Sequence, residues 1–562
     1  MARTVAIGVQ DFSYLIENHY FYIDKTPFIK EWWNSGDSVT LITRPRRFWK
    51  TITMSMLDYF FSNRYEGRGD LFEKLAIWQD EKFQKLQGSY PVIFLSFAGV
   101  KQTTYEETRI KINQALSDLY SRSKWILEQE FMAEHDREFF NSVKDNMSES
   151  VATLALQRLC RWLEQYYGKK VLIFLDEYDT PMQEAYVNGY WPEMTAFIRS
   201  LFNNTFKTNP SIERAVMTGI TRVSKESVFS DLNNLRVVTT TSNLYADVFG
   251  FTEEEVFAAM DEQAIPEDEK GNVKKWYDGF TFGNVEDIYN PWSIINYLSN
   301  RKTGTYWANT SSNSLVGTLL KEGSKDLKIQ FEDLLLGKTI SCELNEEIVF
   351  SELDESEGAI WSLLLASGYL KIVSKEDEIY ELKLTNYEVK RMFERMVKRW
   401  FAKRESDYNS FIRSLLKDDI ESMNGYLNRV TRSMFSSFDV GKKPSEESEP
   451  ERFYHGFVLG LLVELSDRYY VTSNRESGFG RYDVLLEPID KSEDGILMEF
   501  KVHNPAKEAS LEDTVQTALA QIEEKAYAQV LLDHGVAEDR IRRYGFAFEG
   551  KTVLIGSPVK GK

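Results

Sequence analysis

Two groups of residues in this 562-residue sequence have the types and spacing for chemistry on phosphates. One lies near the C-terminal end, where "RYDVLLEP" and "GILMEFKV" set Asp483 sixteen residues before Glu499, with Lys501 two residues beyond. Side chains alternate along a strand, so Leu497, Glu499 and Lys501 share one face while Ile496, Met498, Phe500 and Val502 form the apolar one. In the preceding strand Asp483 stands opposite Tyr482, Val484 and Leu486. Two carboxylates so placed can hold Mg2+, which polarises a phosphodiester and lowers the pKa of a bound water. An ammonium beside them orients that water or offsets the developing charge. Asp483 and Glu499 are thus candidate metal ligands and, with Lys501, candidate catalytic residues; Arg475 and Arg481 are candidate phosphate contacts.

The other group begins at "LITRPRRFWKT" (41–51), an apolar run entering a basic loop that ends in Lys50 and Thr51. A phosphate-binding loop curls backbone N–H groups around an anion at the start of a helix. Its lysine reaches the terminal phosphates and the next hydroxyl holds magnesium. Arg47, Phe48 and Trp49 would supply backbone, and Lys50 and Thr51 the two side chains. The glycines usual in such a loop fall at Arg44 and Trp49, and both are missing. The run "VLIFLDEYDT" then delivers Asp176, a candidate magnesium ligand, and Glu177, a candidate base for a water. A fourth run, ending "MTGITRVSKES", brings Thr218 and Arg222 to the same edge, a candidate phosphate sensor and a cation to stabilise transferred charge.

The elements that must position these groups follow from hydrophobic periodicity. Four nearly continuous apolar runs (38–43, 90–97, 170–177 and 214–220) alternate with amphipathic helical stretches. Strands apolar on both faces, joined by helices, predict a parallel α/β sheet. We place this domain at 1–245, a mainly helical lid-like region at 246–345, an α-rich connecting domain at 346–445 and a closing domain at 452–562. The charged, Pro- and Ser-containing "GKKPSEESEPER" (441–452) is the clearest linker.

Composition narrows the chemistry. Cys160 and Cys342 are far apart, and five scattered histidines give no zinc spacing, so any metal is held by carboxylates. Two separate thiols predict a reducing compartment, and the absence of a long apolar run or a signal-like start predicts a cytoplasmic protein without a membrane span. The net charge of −19 argues against a protein that coats nucleic acid. Residues 452–562 hold 14 basic and 18 acidic residues, net −4, so that segment alone is a poor electrostatic DNA binder. Either another part of the chain helps grip the substrate, or the site acts on a special end or flap.

The words "YIDKTPFIKEW", "LITRPRRFWKT", "LIFLDEYDTPM", "TGITRVSKESVFSDLNNL", "WYDGFTFG", "YNPWSI", "YWANTS", "RYDVLLEP" and "MEFKV" resemble AAA-ATPase-like proteins with a C-terminal PD-(D/E)xK nuclease domain. The resemblance implies a P-loop NTPase-like sheet, a helical middle and a closing restriction-endonuclease-like αβββαβ domain. It implies ATP and Mg2+ as cofactors, DNA as the nucleic-acid partner, a nucleotide-gated nuclease, and a homo-oligomer. It also implies that Glu464 completes the metal site and that Gln521 contacts it. In that family the loop usually reads RPRRFGKT, and this chain departs from it at Trp49. The indole either fills the phosphate cradle or points away from it. The sequence leaves both open, and with them a pseudo-ATPase scaffold that presents the nuclease domain.

Overall fold

The structure, a computed structural model, describes residues 2–558 except 222–228, 230–231, 309–313, 323, 345–352, 354–355, 402–404, 435–457, 459–461, 463–464, 466–467, 474–475, 478–479, 482 and 551. The chain forms two compact units: Met1–Gly323 with Asp333–Arg391, and Ser324–Glu332 with Met392–Lys562.

In the first unit the four apolar runs become strands of one parallel sheet: β1 (Val39–Thr43), β2 (Val92–Ser96), β3 (Val171–Asp176) and β4 (Ile212–Gly219). A fifth, β5 (Leu235–Val238), pairs with β1, giving the order β2-β3-β4-β1-β5. β1 and β3 are buried at every position, as strands covered on both faces must be. Helix α1 (Lys50–Phe61) follows β1 and buries Ile52, Met54, Leu57 and Phe60 in the core. Helix α2 (Thr180–Asn188) follows β3. The site residues therefore gather at the C-terminal edge of the sheet, where parallel α/β folds take their ligands.

Two polar anchors tie the 246–308 region to this sheet domain. Lys25 of "YIDK" donates to Glu255 at 2.7 Å and to the Asp247 carbonyl at 2.7 Å. Glu255 also closes a capping box with Thr252, so one carboxylate fixes a helix start and receives a buried ammonium. Further on, helix α3 (Pro291–Asn300) is capped by Asn290, which accepts from the N–H groups of Trp292 and Ser293.

A buried carboxylate organises the end of this unit. Glu388, in the first turn of helix α4 (Tyr387–Phe401), accepts from Ser293 Oγ at 2.7 Å and from the N–H groups of Trp307 (2.7 Å) and Ala308 (3.3 Å). Burial pushes its carboxyl up to about 7, and those three donors work in the opposite direction.

The second unit contains a mixed five-stranded sheet: β6 (Tyr469–Ser473), β7 (Val484–Pro488), β8 (Gly495–Val502), β9 (Ile541–Glu549) and β10 (Thr552–Gly556), in that order. All neighbours are antiparallel except β8 and β9. The alternation along β8 holds: Ile496, Met498 and Phe500 pack with Phe546 and with Phe411, Met423 and Leu427 from the preceding helices. Leu497 faces the other layer, where helix α6 (Leu511–Glu524) contributes Val515, Leu519 and Ile522. Helix α5 (Ile420–Met434) closes the outer edge of β10 with two asparagines. Asn424 both donates to and accepts from the backbone of Ile555 (2.9 and 2.7 Å), and Asn428 does the same with Val553. An exposed strand edge is thereby satisfied within the chain. Among the described residues no helix is long and apolar enough to cross a membrane.

Two outcomes follow. A carboxyl raised in the folded state binds its proton more tightly there than in the unfolded chain. Glu388 therefore removes stability as pH rises from about 4.5 to about 7, by at most roughly 3 kcal/mol. Urea unfolding across that range should show a flatter pH dependence for Glu388→Gln, and an identical slope would refute it. In Asn424→Ala the Ile555 N–H and C=O lose their partners, at a cost of about 1–3 kcal/mol. An unchanged denaturation midpoint would show that the asparagine clasp is dispensable.

Candidate functional site

Loop 44–49 lacks glycine, and Arg47 (φ 66°) and Trp49 (φ 57°) take left-handed backbone conformations. Such conformations cost a side-chain-bearing residue about 1–2 kcal/mol, so surrounding structure must hold them. Every residue of the loop has such a hold. The Arg44 guanidinium is fully buried, donates to the carbonyls of Thr43 and Thr239, and lies 4.5 Å over the Phe282 ring. Pro45 lies against Gly368, where an added Cβ would come within 2.8 Å of the proline ring. Arg46 donates to Gln183 at 3.1 Å, and the Arg47 guanidinium lies 4.5 Å over Trp292. Phe48 meets Phe280 and Phe282 edge-on.

Trp49 is 9% exposed and packed in the core. Its ring is parallel to Tyr22 (5.6 Å between centroids, 5°) and perpendicular to Phe251 (4.6 Å, 89°). The indole is thus held between an N-terminal tyrosine and the first residue of the 251–289 sheet.

Lys50, the first residue of α1, turns its ammonium back onto the carbonyls of Arg44 (2.8 Å) and Pro45 (2.7 Å). Burial pushes it down to about 8, and Glu177, Asp176 and Asp179 pull it back up. Thr51 donates to Asp176 at 2.8 Å, and Thr218 donates to the other oxygen of that carboxylate at 2.5 Å. Asp176 is fully buried; burial raises its pKa, against the two hydroxyl donors. Glu177 also has positive φ (52°), and its N–H donates to Thr218 Oγ1. The structure brings Lys50, Thr51, Asp176, Glu177 and Thr218 together at one sheet edge. Arg222 lies outside the described residues.

Sequence reasoning missed Asp179. Its carboxylate accepts from the N–H groups of Ile220 and Thr221 (both 2.9 Å) and so fixes the turn after β4. The "DEYD" spacing, one turn past Asp176, was the available signal.

In the second unit Asp483 sits just ahead of β7 and accepts from the Phe500 N–H at 2.8 Å, which pins it beside Glu499 on β8. The Lys501 ammonium is 3.6 Å from Glu499 Oε1. Gln521 on α6 donates to the same oxygen and, at 3.3 Å, to the Tyr527 hydroxyl. Glu464 and Arg475 lie outside the described residues, as does the Arg481 side chain. His503 is a further residue missed. It continues the face of Glu499 and Lys501, has a buried imidazole, and shares a 2.9 Å hydrogen bond with Thr514 at the other end of α6. Helix α6 is thus fastened to β8 and its extension at both ends.

The donor set fits a divalent cation. Glu499 is buried, and burial pushes Asp483 up to about 6, against the Phe500 N–H and Lys501. A cation between two desolvated carboxylates offsets that cost. Another acidic group, Glu253, Asp278 and Asp287, has ligand atoms within 4.8 Å of one another. There the Lys274 ammonium already bridges Glu253 (2.5 Å) and Asp287 (3.2 Å).

The fold is that of a fused protein, a parallel α/β sheet domain followed by a mixed-sheet domain. Comparison with known families agrees. Residues 6–229 match the AAA-ATPase-like family, described as "Predicted AAA-ATPase", and residues 449–557 match the PD-(D/E)XK nuclease superfamily. The chain carries both domains. It is also similar to an uncharacterized protein in the vnfD 5′ region of Azotobacter chroococcum mcd 1, 25% identical over 397 residues, covering 69% of this chain and 68% of the relative.

Trp49→Gly isolates the indole's contribution. Relief of the left-handed backbone returns about 1 kcal/mol, whereas removing a buried tryptophan costs about 3–5 kcal/mol. A net loss of roughly 2–4 kcal/mol is expected by chemical denaturation, and a variant as stable as the parent would mean that the aromatic seat contributes nothing.

Proposed function

We propose that the protein hydrolyses phosphodiester bonds of DNA in a Mg2+-dependent reaction at the C-terminal domain, gated by ATP at the N-terminal one. The observation behind this reading is the convergence of Asp483, just ahead of β7, with Glu499 and Lys501 on β8 and Gln521 on α6. Asp483 and Glu499 would hold the metal, with Glu464 as a third ligand. Mg2+ bound there supplies Lewis acidity and an acidified water. Lys501 orients the attacking oxygen and offsets charge on the phosphate, and Gln521 holds Glu499 in its rotamer. In the N-terminal domain the N–H groups of Arg47, Phe48 and Trp49, with Lys50, Thr51 and Asp176, would take the triphosphate and its magnesium. Glu177 would act on water, Thr218 would sense the last phosphate, and Arg222 would offset transferred charge.

A second reading has its own support. With Trp49 in a position that favours glycine and Lys50 engaged by its own loop carbonyls, the N-terminal domain is a scaffold that binds no nucleotide and presents the nuclease domain.

Two assays separate the readings. Mg2+-dependent cleavage of single- and double-stranded DNA should fall on the order of a hundredfold or more in Lys501→Ala, and cleavage indifferent to that change would remove the assigned active site. Labelled ATP should bind the parent and be lost in Lys50→Ala. No binding by the parent selects the scaffold.

A further inference from the structure

The Arg46 carbonyl accepts from Trp307 Nε1 at 2.9 Å and, at 3.4 Å, from Asn290 Nδ2. Trp307 is itself fixed twice. Its ring lies 5.4 Å from Phe280 and 5.5 Å from Tyr369, and its backbone N–H donates to Glu388 at 2.7 Å. Glu388 also takes Ser293, one residue after the Trp292 ring that supports Arg47. One buried carboxylate therefore joins the first turn of α3, the segment 306–308 and the first turn of α4. Trp307 extends that junction to the loop.

The orientation of a peptide group gives this junction its consequence. In a planar trans peptide the C=O and the following N–H point in opposite directions. Holding the Arg46 carbonyl toward Trp307 therefore turns the Arg47 N–H the other way. A flip of that one peptide would exchange an N–H for a carbonyl, a donor for an anion replaced by a group that repels it. Glycine-rich loops reach such conformations without strain, whereas Arg47 holds φ 66° with a side chain attached.

We propose that Glu388 and Trp307 are positioning residues of loop 44–49, a strap that selects the peptide orientation at 46–47 required to receive a phosphate. The phosphate part rests on the nucleotide reading above; the strap itself does not. The strap ends in the helix that runs from Tyr387 to Phe401, so loop and helix start share one hydrogen-bonded path.

The test uses the full-length protein and three variants. Trp307→Phe keeps an aromatic ring, removes the Nε1–H donor and shortens the buried side chain. Glu388→Ala removes the acceptor, and Glu388→Gln restores one. Amide hydrogen exchange without ligand should quicken about tenfold in residues 46–49 in the first two variants, the effect of one lost hydrogen bond. Exchange in β3 should stay as in the parent, and Glu388→Gln should return most of the protection. Unchanged loop exchange in Trp307→Phe, or acceleration spread evenly over the sheet, overturns the strap. Mg2+–ATP titration forms the second arm, with about tenfold weaker binding expected in Trp307→Phe. Equal affinity in parent and variant overturns the positioning role. If the parent binds no ATP, the nucleotide reading falls, and the exchange result alone upholds or overturns the strap.

Discussion

The first unit depends on a loop of six side-chain-bearing residues that must turn tightly without glycine. Left-handed conformations at Arg47 and Trp49 are unfavourable by themselves, and the structure meets them with aromatic surface. Phe280 and Phe282 receive Phe48, Trp292 supports Arg47, and Tyr22 and Phe251 enclose Trp49. These rings come from residues 20–30 and 250–295, which explains why the region after the sheet is so rich in aromatic residues. It forms the outer wall of the loop. The sheet supplies the inner wall through β1, β4 and the carboxylate of Asp176.

Three buried charged groups of this unit share one solution. Arg44, Lys50 and Glu388 are each withdrawn from water, and each is satisfied mainly by backbone groups. A buried ion met by backbone dipoles keeps one geometry, since neither partner can rotate away. The C-terminal site follows the same logic. Asp483 is fixed by the Phe500 N–H, and Glu499 is fixed by Gln521. Lys501 stands beside the pair, 3.6 Å from Glu499.

Much of this was legible in the sequence. Continuous apolar runs marked β1 to β4, and the alternation in "GILMEFKV" placed Glu499 and Lys501 on the face that meets α6. β5 was harder to see, because Arg236 interrupts a four-residue strand. Asp179 and His503 escaped notice although each continues a pattern already read, because their roles lie in backbone turns and helix anchoring. Glu388 gave no signal at all. An acidic residue opening an amphipathic helix is ordinary, and only its burial against Ser293 and Trp307 distinguishes it.

By itself the sequence determined which residues could do chemistry and which strands deliver them. Periodicity and residue type are local properties, and both groups of candidate residues were readable from them. Where the Trp49 indole goes was decided only by the tertiary structure. Its seat is built from Tyr22 and Phe251, residues 27 positions before it and 202 after it in the chain. No local pattern encodes a contact between segments so far apart. The same holds for the Arg46 carbonyl, whose partner is Trp307.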